Sequence, residues 1–270
     1  MITIGFVILT WNSAAYVKKC IDSIFALRRI TPKISVVDNG SSDGTKEILR
    51  SYGDRIILTE FTENKGQTVS RNASLARLPE TDYVAFLDSD TEISDEEGFL
   101  LMAELLKERR DIGIVGPRLV SPSGELQYSA KHLPRFRQKL YKAIPISYFR
   151  SKGDEMDHED YADREEPFYV PYLISACILM RYDAYRRIGT LDERIFYGAE
   201  DVEYCMRSWK KGLRVAYDPR CTVVHHYQRI GRRRFLSKHN YEHLRSLLYV
   251  RRKYPRSLSE KIGELCEESL

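Results

Sequence analysis

Residues 83–94 read "YVAFLDSDTEIS". Five mostly apolar residues, Tyr83 to Leu87, run directly into Asp88, Ser89 and Asp90. An apolar run of that length is the pattern of a buried strand. Two carboxylates two positions apart at the mouth of such a strand repel each other and gain nothing from packing. Either solvent offsets that cost, at an ordinary polar loop, or a cation does.

The sequence around this stretch repeats one alternation. Residues 2–10 are β-rich, and 14–26 place Val17, Cys20, Ile21, Ile24 and Phe25 on one helical face. Strands are expected at 34–37, 55–59 and 83–87, with helices at 45–52, 67–78 and 95–109. Strand then helix, four times over, predicts an α/β fold: a Rossmann-like, mostly parallel central sheet with helices on both faces. In such sheets ligands bind beyond the carboxyl ends of the strands. The polar clusters "TWN", "DNGSSD" and "DSD" all follow strands, so one sheet edge collects them.

The second half is less regular. Residues 117–170 hold prolines at 117, 122, 134, 145 and 167 and little periodicity, which predicts an inserted loop region centred on 121–170. Further strands are expected at 171–180, 214–216 and 222–224, and helices at 181–187 and 199–211, the latter closed by Gly212. This divides the chain into 1–116, the regular strand–helix half, 117–230, a less regular half, and 231–270, a basic amphipathic helical tail.

A chain of 270 residues, 43% hydrophobic and 30% charged, can bury a full core. No run of about 18 apolar residues could span a bilayer. The opening "MITIGFVILTWNS" reads as a first strand and not a signal peptide. Five scattered cysteines without a C-x-x-C pair predict reduced, mostly buried thiols and a cytoplasmic setting. The formal charge of +4 is uneven. Residues 151–166 carry eight acids against two bases, whereas 227–256 carry ten Lys or Arg against Glu242 alone. The basic block interleaves with apolar and aromatic residues, a pattern that suits nucleic acid or an anionic membrane surface.

Read as chemistry, Asp38 ends a strand before a Gly/Ser-rich turn and a helix start, where it can cap the turn or accept from a base or ribose. There is no G-x-G-x-x-G and no P-loop. Arg71 falls in the first turns of the helix after "ENKGQT" and can meet a phosphate or stand free on the surface. Asp88-Ser89-Asp90 can hold Mg2+ or Mn2+ together with substrate phosphates. In "GAED", Glu200 and Asp201 stand at a helix start, as caps or as an ionised base.

Five stretches in order, "FVILTWNSAAYVKKCIDSI", "VVDNGSSDGT", "ENKGQTVSRN", "FLDSD" and "DERIFYGAEDVEYCMRSWKKGLRVAYDPRCTVVHH", resemble the family 2 inverting glycosyltransferases of the GT-A fold, in the rhamnosyltransferase-like branch. The resemblance covers roughly residues 2–230. It implies a nucleoside-diphosphate sugar donor, a glycan or lipid-linked acceptor, and a role in cell-surface polysaccharide synthesis. Thr10 and Asn12 would lie against the nucleotide, and Asp38 would bind its base or ribose, with Asn39 and Ser89 in the same donor set. Arg71 would lie near the donor, Asp88 at the ribose or the metal's water shell, and Asp90 on the metal. Asp201, beside Glu200, matches the catalytic base, and His225 matches a metal-completing histidine, with His226 as its alternative. A Ser-Gly turn of the family reads Ser175-Ala176 here. The basic tail would hold the enzyme on the inner face of a membrane. A nucleotidyltransferase would need a Gly-rich basic loop after the first strand, which "ILTWNSAAY" does not supply. Nucleic-acid binding leaves the acids at 38, 88, 90 and 201 without a purpose.

Overall fold

The computed structural model describes residues 1–134, 164–227, 238–268 and 270, the side chains of 238–240 apart. Most of the acidic run and the start of the basic block lie outside the described residues. The first half alternates β1 (Ile2–Thr10), α1 (Val17–Phe25), β2 (Ile30–Asp38), α2 (Thr45–Arg50), β3 (Ile57–Glu60), α3 (Gln67–Arg77), β4 (Tyr83–Asp88), β5 (Thr91–Glu92) and α4 (Glu96–Glu108). The second half adds β6 (Ile112–Val120), β7 (Leu126–Gln127), β8 (Ala130–Lys131), β9 (Phe168–Tyr169), β10 (Tyr172–Leu173) and β11 (Cys177–Arg181). Then follow α5 (Tyr182–Ile188), α6 (Glu200–Lys210), β12 (Arg214–His225), α7 (Lys238–Lys253) and α8 (Arg256–Cys266).

Among the described residues the main sheet runs β3-β2-β1-β4-β11-β6-β12-β5. Strands β3, β2, β1 and β4 are parallel, as the right-handed strand–helix repeats require. Strand β11 then enters antiparallel between β4 and β6. Helices cover both faces of β1. Gly5 meets Leu78 just after α3, whereas Phe6, one residue on and therefore on the opposite face, packs on Phe99 of α4. Ile4, Phe6, Val7 and Ile8 are wholly buried, each side chain contributing roughly 1.5–3 kcal/mol. The α1 stripe Val17, Cys20, Ile21 and Ile24 is buried as its spacing predicts.

Three departures from the sequence reading share a cause: tertiary pairing overrides local punctuation. Residues 117–120, expected within the irregular region, complete β6 despite Pro117. The single strand expected over 171–180 is broken into β10 and β11, with Ser175-Ala176 at the break. The two strands expected after residue 213 are one strand, β12, whose pairing with β6 shifts between Asp218 and Thr222, a bulge that keeps both halves on one partner.

The tail helices dock inward. Glu203, 1% exposed on α6, receives Lys253 Nζ at 2.7 Å, Tyr254 Oη at 2.8 Å and Arg207 Nη2 at 2.8 Å. Lys253 also reaches Asp192 Oδ2 at 2.6 Å, where Tyr249 Oη donates at 2.7 Å. Together these pairs hold Asp192 far below the usual carboxylate range: burial opposes ionisation, but Arg194, Lys253 and Tyr249 outweigh it. No described helix is long and apolar enough to cross a membrane. Because Glu203 is buried, removing one of its cations leaves charge uncompensated. Lys253→Met is expected to destabilise the fold by about 2 kcal/mol in urea unfolding, and Lys253→Arg to recover most of that loss.

Candidate functional site

The loops after β1 and β2 are tied to each other. Asp38 is fully buried. Its Oδ2 accepts from Ser41 N at 3.0 Å and lies 3.8 Å from Lys46 Nζ, and its Oδ1 accepts from Thr10 Oγ1 at 3.3 Å. Asn12 takes a left-handed backbone (φ 51°), receives Ser42 N on its Oδ1 at 2.9 Å and donates its own N–H to Ser41 Oγ at 2.8 Å. Asn39 binds Asn64 and Lys65 of the next loop. Thr10, Asn12, Asp38 and Asn39 therefore form one network, with Asp38 spent on shaping the turn.

At the end of β4, the repulsion between Asp88 and Asp90 is answered by side chains. Arg71, 1% exposed on α3, pairs through Nη2 with Asp88 Oδ1 and donates through Nη1 to Ser175 Oγ at 2.7 Å. Its Nε is buried without a partner. The sequence reading left Arg71 either near the donor or free on the surface; it is buried, and its guanidinium bridges Asp88 and the Ser175 break. Asp90 Oδ1 lies 3.4 Å from His225 Nε2. Strand β5 sets that distance: Thr91 pairs with His225 in register, and His226 N donates to the Asp90 carbonyl at 2.8 Å. Gln127 Oε1 takes His225 Nδ1 at 2.8 Å, which leaves Nε2 facing the acids. His226 turns away to Glu92. Burial raises the pKa of Asp88, an effect that Arg71 opposes. For His225, burial works against the charged form, yet Asp90 outweighs it and the pKa rises.

The ligand atoms of Asp88, Asp90 and His225 all lie within 4.8 Å of one another. Two hard oxygens and an imidazole nitrogen suit a divalent cation. Ser89 turns its hydroxyl to Ser13 Oγ, 2.8 Å away.

The acid pair Glu200-Asp201 begins α6 after Gly198 and Ala199, both left-handed (φ 71° and 63°). A Cβ on Gly198 would stand 2.2 Å from His243 Nδ1 of α7, so glycine is required there. Ala199 pays a backbone cost instead, which its surroundings impose. The loop before it is clamped between α3 and α7. Gln67 N donates to the Phe196 carbonyl at 2.9 Å, Thr68 Oγ1 to that of Ile195 at 2.6 Å, and Ser246 Oγ of α7 to that of Tyr197 at 3.2 Å. The Gln67 amide nitrogen, turned to the acid, lies 2.6 Å from Glu200 Oε1. Burial and then the charge of Asp201 push Glu200 up to about 8. Arg71 and Asp88 also act on it, so the acid pair and the Asp88 cluster share one electrostatic neighbourhood. Phe86, Leu173, Ser175, Ile178, Leu191 and Tyr204 line a pocket with the two acids.

A mixed sheet in this order, with the acids gathered beyond its strands, has the architecture of the GT-A fold. The profile described as Glycosyl transferase family 2 matches residues 6–189, and the chain belongs to that family. A Mycobacterium tuberculosis (strain H37Rv) pre-mycofactocin glycosyltransferase is 30% identical over 226 residues, 80% of this chain and 41% of that protein. An N-acetylglucosaminyl-diphospho-decaprenol L-rhamnosyltransferase of the same organism is 24% identical, over 82% of this chain and 75% of its own. The chain thus spans about two fifths of the first of these relatives. In fold it is similar to GalNAc-T7 with UDP, GalNAc and Mn2+ (TM-score 0.69, 13% identity, 97% of this chain and 50% of that one). It is also similar to the mannosyltransferase PcManGT from Pyrobaculum calidifontis with GDP-Man and Mn2+ (TM-score 0.61, 17% identity, 96% and 68%).

Gln67, inside the "ENKGQTVSRN" stretch, Lys253, inside the basic block, and Gln127 were given no role of their own in the sequence reading; only the fold brings Gln67 to Glu200, Gln127 to His225 and Lys253 to Asp192 and Glu203. The raised pKa of Glu200 has a thermodynamic consequence. The folded protein holds a proton that the unfolded chain releases near the ordinary value of 4.5. The stability this proton contributes is complete below that value and lost as pH rises towards about 8. The melting temperature of wild type is expected to fall across this window, and that of Glu200→Gln to fall less. Parallel melting curves for the two proteins would contradict the assignment.

Proposed function

We propose that the protein is a metal-dependent inverting glycosyltransferase that moves a sugar from a nucleoside-diphosphate donor to a hydroxyl of a glycan or lipid-linked acceptor, in cell-surface polysaccharide synthesis. The observation that carries this reading is the meeting of the Asp88–Asp90–His225 cluster with the Glu200-Asp201 pair at one sheet edge, joined electrostatically through Arg71 and Asp88. The decaprenol-linked substrate in one relative's name supports the lipid-linked acceptor. Mn2+ beside nucleotides in the two fold neighbours supports the cation.

Asp90 and His225, with Asp88, would hold Mg2+ or Mn2+, and the imidazole favours Mn2+. When bound, such an ion supplies positive charge against the departing nucleoside diphosphate. The chain's own groups do the rest. The Thr10–Asn12–Asp38–Asn39 network, with Ser89, shapes the seat for base and ribose. Arg71 acts from beneath: it fixes Asp88 and ties it to Ser175 under the donor. Asp201 takes the proton of the acceptor hydroxyl. The acceptor oxygen bonds to the anomeric carbon as the carbon–diphosphate bond breaks on the opposite side, inverting the centre. Glu200, pushed up to about 8, keeps its proton near neutral pH, so the base role falls to Asp201. The helix start beneath Asp201 favours its negative charge. The free thiols, four of the five buried, fit work in the reducing cytoplasm.

A thermal-shift screen of UDP, GDP and dTDP, with and without Mn2+, tests the reading. Stabilisation by a diphosphate only in the presence of metal is expected; no response to any diphosphate sinks it. Asp90→Ala is expected to abolish that metal dependence. Asp201→Asn should lower transfer at least a thousandfold while calorimetric donor affinity stays within about twofold. Substantial turnover by this variant would refute the base assignment.

A further inference from the structure

We infer that the outward face of α7 is a docking surface for an anionic phospholipid bilayer. The helix is two-sided. Ser246 and Val250 are buried inward, and Lys253 is spent on Asp192 and Glu203. On the opposite side Tyr241, Leu244 and Leu248 are 66%, 55% and 47% exposed. Their spacing of three and four residues puts them on one stripe. Arg245, Arg251 and Arg252 are exposed on the same side, interleaved with that stripe.

Large apolar side chains between guanidinium groups form the surface of a helix that lies in the bilayer interface. The Tyr241 ring and the two leucines enter the headgroup boundary while the arginines meet lipid phosphates, each arginine adding about fivefold in affinity at an anionic surface. Glu242, the acid of this helix, does not break the pattern, because it lies to the side and within 3.4 Å of Arg245. A second copy of the chain is a poorer occupant. A two-fold pairing through this face would bring arginines against arginines. The position also suits a lipid-linked acceptor. His243, on the inward side of the same helix, packs against Gly198, just before the acid pair, so a bilayer held by the outward side of α7 would lie about one helix diameter from that loop. That last point rests on the proposed transfer reaction; the surface itself does not.

Co-sedimentation with extruded vesicles tests this, using phosphatidylcholine alone or mixed with about one third phosphatidylglycerol. The wild-type chain is expected to sediment with the anionic vesicles only. Leu244→Ser with Leu248→Ser and Tyr241→Ser should lower that partition at least tenfold, and Arg245→Gln with Arg251→Gln and Arg252→Gln likewise. Both variants should keep wild-type melting temperature and metal-dependent hydrolysis of nucleotide sugar. Absence of vesicle binding by wild type, or undiminished binding by the serine variant, overturns the inference. So does a wild-type dimer in analytical ultracentrifugation that the serine variant dissolves. Each of these outcomes leaves the donor-site reading standing, since hydrolysis is measured separately.

Discussion

A guanidinium with 1% exposure needs a reason to be buried. Taking Arg71 out of water costs several kcal/mol, and its Nε gains no partner in return. What it holds explains the expense. One end is on Asp88 at the tip of β4, the other on Ser175 at the break between β10 and β11. Without that cation Asp88 would stand beside Asp90 with two negative charges at the end of a buried strand. With it, the upward push of burial on the Asp88 pKa is opposed, and the strand break keeps a fixed position opposite. The sheet edge depends on this one ion pair, because α3, β4 and the 174–176 turn meet in it.

Around that centre the left-handed backbone is placed where the elements approach most closely. Among the described residues, the two non-glycine positions with positive φ are Asn12 and Ala199. The first shapes the turn beside Asp38, and the second introduces the acid pair. Gly66 adds the complementary approach: a Cβ there would stand 2.7 Å from the Phe196 carbonyl oxygen. Strain of this kind persists only where surrounding contacts over-determine it. Here α3 supplies them on one side, through Gln67 and Thr68, and α7 on the other, through Ser246 and the Lys253 network.

The parallel half was legible in the sequence because each of its elements is specified locally. The α1 stripe, the apolar runs of β1 and β4 and the polar punctuation after each strand all state one structure, and β1 begins and ends where its sequence pattern does. Asp88, Glu200 and Asp201 could be singled out as acids at a strand end or a helix start, and Asp90 by its spacing from Asp88, whereas His225 entered only through the resemblance. The contacts that position them were not. Arg71 looked the same as a surface arginine until the fold put it under Asp88. Gln127, which holds Nδ1 of His225 and so turns Nε2 to the acids, lies 98 positions away in sequence. Pro117 and Pro122 suggested irregular chain, but neighbouring strands impose order up to Val120. The basic tail suggested a surface for nucleic acid or an anionic membrane, whereas Lys253, at the end of α7, is consumed by two acids of the fold.

The same division of labour separates donor from acceptor. The residues proposed to seat the nucleotide hang from consecutive parallel strands and are fixed by contacts between adjacent loops. They lie within the span that matches the family profile, residues 6–189. The acid pair lies beyond that span and is held by a loop pressed between α3 and the tail. An acid fixed from two sides can be re-aimed by changing either side without touching the sheet. Donor chemistry can therefore stay constant while the acceptor side varies through the packing of α7 on the 189–199 loop. A helix whose inner face holds the loop before the acid pair and whose outer face carries the proposed bilayer-docking stripe would couple the two: the surface proposed to gather acceptors would be built on the element that positions the proposed base.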